Sequence, residues 1–405
     1  MRVTIVQYGG DYREAWERFD RGGKETYQAQ RYSVGFVASL AQRFGQLAVV
    51  CASTETRYDV QLPTKVRAIG AGFSTGFRPR DLLPLVEATN PSRLILVTPM
   101  IALLKWAAKK RVRTLMTLAD SFNKPGILTS VRHWRLARLL NGRNVEWVGN
   151  HGIAACLSAA SIGVQPGKII PWDWPPSHKP SDHSPRHLDT SKPPTLAYVG
   201  SISEAKGVSD LLHALHRLRA EGLKPALTII GRDHDGIMQS LAVRLGLMDQ
   251  VNFAGVIANE DVPQTMRNAD AVVIPSRHEY PEGLPLTIYE ALAARTPIIA
   301  SDHPMFRGAL AHEQTALVFR AGDVAALAGA IRRLSADPDL YARMSINSEK
   351  AWQALQLPVT WGDLIGHWLT DDEAARQWLA SHCLNSGLYE EQIAVRSDLG
   401  GRHRG

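Results

Sequence analysis

The sequence alternates short apolar runs with helical patterns along almost its whole length, and this alternation is interrupted once. Between Pro171 and Pro194 the chain becomes rich in proline and no apolar period survives. Strands that alternate with helices indicate βαβ units on parallel sheets, and the interruption indicates a domain boundary. We therefore predict an α/β protein with two Rossmann-like domains that face each other across a cleft. The predicted parts are residues 1–170, a linker at 171–194, residues 195–350, and C-terminal helices with a tail at 351–405.

The composition is that of a globular protein, with 45% hydrophobic and 21% charged residues among 405. We find no apolar run near the ~20 residues that a membrane-spanning helix requires. The N-terminal MRVTIVQYGG is expected to be a first strand rather than a signal peptide, because it has no extended apolar region. The three cysteines are far apart and lack C-x-x-C spacing, which argues against disulfides and zinc sites. These features together predict a cytoplasmic protein.

The net charge of +7 and the pI near 9.3 are compatible with an anionic partner, such as nucleotide phosphate, acidic lipid or nucleic acid. Basic residues concentrate in segments 105–113 and 131–140, where Arg132, Arg135 and Arg138 recur beside Trp134. This pattern fits a helix at the surface of an anionic membrane. It fits equally well a solvated basic face whose apolar side packs on the sheet. Only net charge favours nucleic acid, so no nucleic-acid partner is expected.

One βαβ unit, over residues 272–302, has an unusual loop between its first strand and its helix. The loop contains Glu282, and Glu290 follows in the helix with seven residues between the two. At the start of this helix the amides of Leu286 and Thr287 are expected to be free. Free amides and the helix dipole favour an anion, most often a phosphate.

The stretch VVIPSRHEYPEGLPLTIYEALAARTPIIASD resembles the signature of retaining glycosyltransferases of family 4 (group 1), which have the GT-B fold. Further stretches resemble this family in the same order: YVGSISEAKGVSDLLHAL, TIIGRDHDG, VNFAGVIANEDVPQTMRNADAVVIPS and GDVAALAGAIRRLSADPDLYARM, with GGKETYQAQRYSVGFVASLAQRFG in the N-terminal half. E-x7-E alone is a weak pattern, but it is specific when the flanking motifs accompany it in order. The resemblance implies a UDP- or GDP-sugar donor, a hydroxyl acceptor and no metal or other cofactor.

The resemblance also assigns roles to residues of the glutamate loop. It implies that Glu290 accepts hydrogen bonds from the ribose hydroxyls of the donor, as an ionised carboxylate does well. It places Glu282 near the donor sugar as a catalytic residue that stabilises charge at the anomeric carbon. The backbone is expected to contact the sugar and the distal phosphate at these positions: Gly283, Leu284, Leu286 and Thr287.

The diphosphate of the donor is expected to meet Lys206, which matches the basic residue of the family's G-R-x4-K stretch and is a second catalytic candidate. In that stretch Gly200 is present, but Ser201 replaces the arginine. Serine brings no charge, so stabilisation of the leaving group is expected to be weaker or to come from elsewhere. Arg232 and Arg277 are the nearest candidates, and each of them is equally compatible with an ordinary surface residue.

The N-terminal half departs from the family at Ala119, where many relatives carry the histidine of a His-Asp pair. Asp120 remains and is a third catalytic candidate that lines the acceptor or sugar pocket, although a turn-capping aspartate is the alternative. Gly22 and Gly23 would allow the backbone to approach the donor phosphate or the acceptor. His151 is a weaker candidate for the pocket.

The sequence disfavours two alternative interpretations. The triplet Asp233-His234-Asp235 resembles a divalent-metal motif, but with Gly236 behind it we interpret it as a turn and expect no metal. A dinucleotide oxidoreductase is disfavoured because no G-x-G-x-x-G follows the first strand of either domain.

The sequence therefore predicts a retaining glycosyltransferase of surface polysaccharide or glycolipid assembly. Its acceptor could be lipid-linked, and the enzyme could lie at the inner face of the cell membrane. The alternative, suggested by Ser201 and Ala119, is a nucleotide-sugar-binding protein with little or no transfer activity.

Overall fold

The computed structural model describes residues 1–73, 77–122, 126–233 and 235–401, with side chains up to residue 395. Its contacts divide the chain into two compact units. Unit 1 consists of Met1–Glu25, Ala29–Pro175 and Leu357–Ile393. Unit 2 consists of Thr26–Gln28, Pro176–Gln356 and Ala394–Gly405. The predicted boundaries place the C-terminal helices in neither domain, whereas the structure groups most of them with unit 1.

Unit 1 is built on a sheet of eight strands: β1 Arg2–Gln7, β2 Gln46–Cys51, β3 Arg57–Gln61, β4 Val66–Ala71, β5 Arg93–Leu96, β6 Arg113–Leu118, β7 Val145–His151 and β8 Ile169–Trp172. Their order is β3-β4-β2-β1-β5-β6-β7-β8. All neighbouring strands are parallel except β3 and β4. The parallel strands are almost entirely buried because helices cover both faces of the sheet.

The helices of unit 1 are α1 Tyr12–Asp20, α2 Gln30–Phe44, α3 Leu83–Ala88, α4 Ile101–Lys110, α5 Ile127–Leu140, α6 Ile153–Ser161, and near the C-terminus α13 Trp361–Thr370 and α14 Glu373–Ser381. A last helix, α15, spans Glu390–Gly401. Helix α13 buries Trp361 and Trp368 in the same core as α2 and the strands, which explains why it belongs to this unit.

Unit 2 has six parallel strands: β9 Thr195–Val199, β10 Ala226–Ile230, β11 Val251–Gly255, β12 Ala271–Ile274, β13 Ile298–Ser301 and β14 Ala316–Phe319. Their order is β11-β10-β9-β12-β13-β14. Its helices are α7 Val208–Ala220, α8 Ile237–Arg244, α9 Val262–Asn268, α10 Leu286–Ala293, α11 Val324–Ala336 and α12 Pro338–Leu355. The strand order reverses between β9 and β12, which is the point where doubly wound sheets bind ligands at their carboxyl edge.

The two-domain α/β fold predicted from the alternation is confirmed. Five elements were not predicted: the strands β3 and β8 and the helices α1, α13 and α15. Strand β8 spans residues 169–172 and so crosses position 171, where the linker was predicted to begin. None of the described helices combines the length and the apolar character needed to cross a bilayer.

Candidate functional site

The candidate site lies at the switch point of the unit 2 sheet. Strands β9 and β12 pair directly there, so the loops that follow them leave the sheet at adjacent positions on its carboxyl edge. The loop after β9 contains Lys206, and the loop after β12 contains Glu282. The fold therefore brings together two residues that are 76 positions apart in the sequence.

Lys206 and Glu282 form a shielded ion pair. The Lys206 Nζ atom donates to Glu282 Oε1 at 2.6 Å, and the two side chains are 14% and 8% exposed. The buried Ser276 hydroxyl donates to the same carboxylate oxygen at 2.9 Å. The ring of Tyr280 lies beneath the ammonium group, with 4.3 Å from Nζ to the ring centroid. The cation is thus held by a carboxylate and an aromatic face at once.

Neighbouring strands hold the glutamate loop in place. The Ser301 hydroxyl donates to the Ser276 carbonyl at 2.6 Å. Behind the loop, His303 Nδ1 accepts from the amide of Met305, so its Nε2 carries the proton that is donated to the Tyr280 carbonyl at 3.2 Å. Burial lowers the pKa of His303, which favours this neutral tautomer. The position of Tyr280, and with it the support beneath Lys206, depends on His303.

Gly207 allows the Lys206 loop to lie against the end of β12. Its φ is +73°, and an added Cβ would lie 2.0 Å from the Pro275 carbonyl oxygen. Only glycine tolerates both that conformation and that approach. Helix α7 therefore begins close to the glutamate loop, and Lys206 is fixed directly before it.

The start of α10 presents unpaired backbone donors. Pro285 precedes the helix with φ −64° and ψ 136°, and no side chain caps the helix. Among the described residues, the amides of Leu286 and Thr287 have no hydrogen-bond acceptor, whereas the amide of Ile288 donates to the Pro285 carbonyl. The helix start therefore favours an anion, as expected from the sequence.

Glu290 lies just over one turn into α10 and is partly buried. Within the described part of the chain, its carboxyl group has no hydrogen-bond partner. Burial alone raises the pKa of Glu290 to about 8, because removal from water disfavours the charged form. A shielded carboxyl group without a partner is uncommon, and it is suited to accept hydrogen bonds from a ligand.

The candidate arginines differ in their environment. Arg277 donates twice to the buried Asp210, at 2.6 and 2.8 Å, and lies 2.7 Å from Glu204. The hydrogen bonds to Asp210 raise the pKa of Arg277, and two carboxylates compensate its charge. Arg232 is exposed, and its side chain has no ion pair among the described residues. Ser201 is also exposed.

Asp120 lies at the carboxyl end of β6 in unit 1, and burial raises its pKa to about 6. The side chain of Asn150 holds the Asp120 backbone, accepting from its amide at 3.2 Å and donating to its carbonyl at 3.0 Å. The side-chain amide of Asn150 also donates to the Ala155 carbonyl in α6. Asp120 is therefore fixed by a fully buried asparagine on the next strand.

The glycine pair of unit 1 ends helix α1. The amide of Gly22 donates to the Phe19 carbonyl, and that of Gly23 donates to the Arg18 carbonyl. Both amides are used within the helix terminus, so neither is free to donate to a phosphate. His151 is buried and bonded to the buried Asp173 at 2.8 Å, with Trp172 beside its ring.

Within the triplet at 233–235, the Asp233 carboxylate accepts from the amides of Met238 and Gln239 at the start of α8, as a capping side chain does. His234 lies outside the described residues. Within the described ranges, no group of three or more His, Cys, Asp or Glu side chains could hold a metal ion. Independence from metal remains a prediction.

Sequence reasoning missed several residues that position the site, namely Ser276, Tyr280, His303 and Asn150. Ser276 belongs to the Pro-Ser dipeptide that precedes the glutamate loop, and the spacing of the two glutamates gives it no role. The contacts of His303 and Asn150 join separate strands, and no spacing rule indicates them.

Comparison with known proteins agrees with this picture. Residues 181–351 match the family model described as glycosyl transferases group 1. A glycogen synthase from Mycobacterium tuberculosis is 33% identical over 173 residues, which cover 40% of this chain and 40% of that protein. A GDP-mannose-dependent alpha-(1-6)-phosphatidylinositol monomannoside mannosyltransferase from the same organism is 29% identical over 191 residues, covering 45% of this chain and 49% of that protein. The chain thus spans less than half the length of both relatives.

Among solved structures, a sucrose-phosphate synthase from Thermosynechococcus elongatus has a TM-score of 0.67. It is 19% identical, and the match covers 94% of this chain and all of that one. At this identity the likeness establishes the fold. The whole chain therefore has the GT-B fold, and its residues 181–351 are similar to the group 1 glycosyltransferases.

Proposed function

We propose that this chain is a retaining glycosyltransferase that moves a sugar from a nucleotide-diphosphate donor to a hydroxyl acceptor. The observation that supports this most is the set of groups at the switch point of unit 2. Lys206 and the amides of Leu286 and Thr287 suit a diphosphate. The carboxyl group of Glu290 suits the two hydroxyls of a ribose. Gly283 and Leu284 would lie beside the sugar.

The proposed reaction takes place on one face of the sugar. The bond between the anomeric carbon and the phosphate oxygen breaks, and a bond to the acceptor oxygen forms on the same face, so the configuration is retained. The acceptor proton passes to the leaving phosphate oxygen, and no side-chain base is required. Lys206 and the helix amides stabilise the leaving group, and Glu282 stabilises positive charge at the anomeric carbon. We propose that no metal takes part.

A positively charged side chain can stabilise the diphosphate only if nearby carboxylates do not already compensate its charge. Arg277 is compensated by Asp210 and Glu204, so we assign it to the support of the loop. Arg232 is exposed and remains a candidate for phosphate contact. Ser201 could add one hydrogen bond without charge. Lys206 is then the principal cation of the proposed site.

We propose a hydroxyl acceptor that is lipid-linked, in the assembly of a surface polysaccharide or glycolipid, with the enzyme in the cytoplasm at the membrane surface. The mannosyltransferase relative is named for a phosphatidylinositol monomannoside, which supports this choice. Asp120 is proposed to line the acceptor pocket, where its raised pKa would let it hold a proton near pH 6.

The test is a screen of UDP- and GDP-sugars for release of the nucleoside diphosphate, followed by NMR of the anomeric configuration in the product. We expect the wild-type enzyme to turn over one of these nucleotide sugars and to retain the anomeric configuration of the sugar in the product. Near wild-type turnover in both Lys206→Ala and Glu282→Ala would contradict the proposal. Binding of donor without transfer or hydrolysis would favour the second candidate, a nucleotide-sugar-binding protein, which the uncharged Ser201 and Ala119 make worth testing.

A further inference from the structure

The first half of α5 exposes an unusual amount of apolar surface. Ile127 and Leu128 are 86% and 87% exposed, and Val131 and Trp134 are 44% and 55% exposed. Single exposed apolar residues are ordinary, but several on one helix face indicate an interaction site. The sequence left open whether this helix packs on the sheet or contacts lipid, and the exposed residues extend the question to its first turn.

The exposed residues share one face of the helix. At 100° per residue, these four side chains lie within an arc of about 120° that also contains Arg135 and Arg138. The buried residues of α5 lie on the opposite side: Leu136, Ala137 and Leu140. The helix therefore packs on its unit through one face and presents a second amphipathic face outward.

The charge of this outward face is of one sign. Helix α5 contains no Asp or Glu, and Arg132, Arg135 and Arg138 are all exposed. The guanidinium group of Arg138 lies over the Trp134 ring at 5.0 Å. The adjacent helix α4 adds exposed cations at positions 105, 109 and 110, and the residue that follows it, Arg111, is exposed as well. Within α4, Trp106 donates to the carboxylate of Glu87.

We infer that the outward face of α5 docks on an anionic lipid bilayer. Apolar side chains beside arginines, with a tryptophan among them, suit the boundary between headgroups and acyl chains. The arginines would meet the negative surface potential. This inference rests on the proposed function in one respect: membrane docking would serve to bring the enzyme to a lipid-linked acceptor.

The experiment is co-sedimentation of the full chain with phosphatidylcholine vesicles, with and without phosphatidylglycerol, at low and high salt. We expect binding to the anionic vesicles that salt weakens. Removal of two apolar side chains in Ile127→Ser/Leu128→Ser should weaken binding about tenfold or more. The triple change Arg132→Gln/Arg135→Gln/Arg138→Gln should weaken it about a hundredfold, at about fivefold per arginine.

Matched controls separate the face from bulk properties. Ile237→Ser/Val243→Ser makes the same kind of change on α8, where both residues are also exposed. Arg244→Gln/Arg320→Gln/Lys350→Gln removes the same net charge from exposed positions of unit 2. Both controls should bind vesicles like the wild type, with circular dichroism confirming that all variants fold.

Several results would overturn the inference: no binding to anionic vesicles, equal binding to neutral vesicles, or α5 variants that bind like the wild type. A dimer in sedimentation equilibrium that Ile127→Ser/Leu128→Ser dissociates, without vesicle binding, would assign the face to a second copy instead. Titration of the same samples with a nucleotide tests the unit 2 site and does not involve α5. Failure of the proposed function and failure of the proposed membrane contact can therefore be told apart.

Discussion

The charge of Lys206 is balanced in the structure by one carboxylate, that of Glu282, and both groups are largely shielded from water. We expect Lys206→Ala to lower kcat about 100- to 1,000-fold, the usual loss when a preorganised charge that faces a developing anion is removed. The same change leaves Glu282 buried without its cation, which costs about 3–5 kcal/mol of stability. Rates of nucleotide release and urea denaturation measure the two effects.

A double variant separates chemistry from folding. Lys206→Met/Glu282→Gln removes both charges while keeping similar volumes, so it should recover most of the stability lost in Lys206→Ala. It should remain as inactive as the single variant, because the cation is still missing. Recovery of activity together with stability would mean that Lys206 acts only by holding the loop.

The carboxyl group of Glu290 predicts a dependence on pH. Its pKa is about 8 in the folded state against 4.5 for a free glutamate, so the folded state holds an extra proton between these values. The free energy of unfolding should therefore fall as pH rises through this window. Because Glu290 is partly exposed, we expect a loss of about 1–2 kcal/mol relative to Glu290→Gln. Urea denaturation of both proteins at pH values across the window measures it.

Donor binding should show the opposite trend. The ionised carboxylate accepts ribose hydrogen bonds better than the acid, so affinity for a nucleotide sugar should rise toward pH 8 in the wild type. In Glu290→Gln this rise should be absent. A nucleotide sugar is the right probe because its diphosphate lacks a group that titrates in this range. Equal pH profiles in the two proteins would exclude Glu290 from the donor site.

At the scale of elements, helix α7 is flanked by two glycines with positive φ: Gly207 directly before it and Gly222 just after its end. Gly207 has a Cβ position that overlaps the Pro275 carbonyl, whereas Gly222 has φ +89° with nothing within 4 Å. Gly222→Ala should cost about 1 kcal/mol, the strain of a left-handed conformation. Gly207→Ala should cost clearly more and should also weaken donor binding, since Lys206 must move. Similar losses in both variants would contradict the close approach.

Most elements were predictable because parallel strands and the helices between them have regular apolar patterns. Helix α1 was missed because few of its residues are apolar, although its capping signals were legible: Asp11 accepts from the amide of Glu14, and the glycine pair closes the other end. Helix α13 has a similar signal in Thr360 and Asp363. Capping residues therefore indicated both helices where periodicity did not.

The candidate site was predictable in part. The order of motifs placed Lys206 and Glu282 at the same edge of one sheet, because they follow strands that pair at the switch point. The bond between them, and the support from Ser276 and His303, were not predictable. These contacts join loops and strands in space, and no periodicity or spacing in a single sequence encodes them.

At the scale of the whole molecule, the proposed reaction should proceed without a metal ion. We expect chelators to leave the rate of sugar transfer unchanged, because Lys206 and backbone amides of the proposed site contact the diphosphate. Activity of protein treated with EDTA, compared with a sample resupplied with Mg²⁺ or Mn²⁺, measures this. Loss of activity that either ion restores would show that a metal takes part.

Nucleotide titration calorimetry tests the central claim most directly. UDP and GDP are titrated into the wild type, Lys206→Ala and Glu290→Gln, with Gly222→Ala as a folded control away from the site. We predict that one of the two nucleotides binds the wild type and the control, and that each site variant weakens it about tenfold or more, as expected for loss of one charge-assisted contact. Unchanged affinity in both site variants, or no binding of either nucleotide to the wild type, would contradict the account.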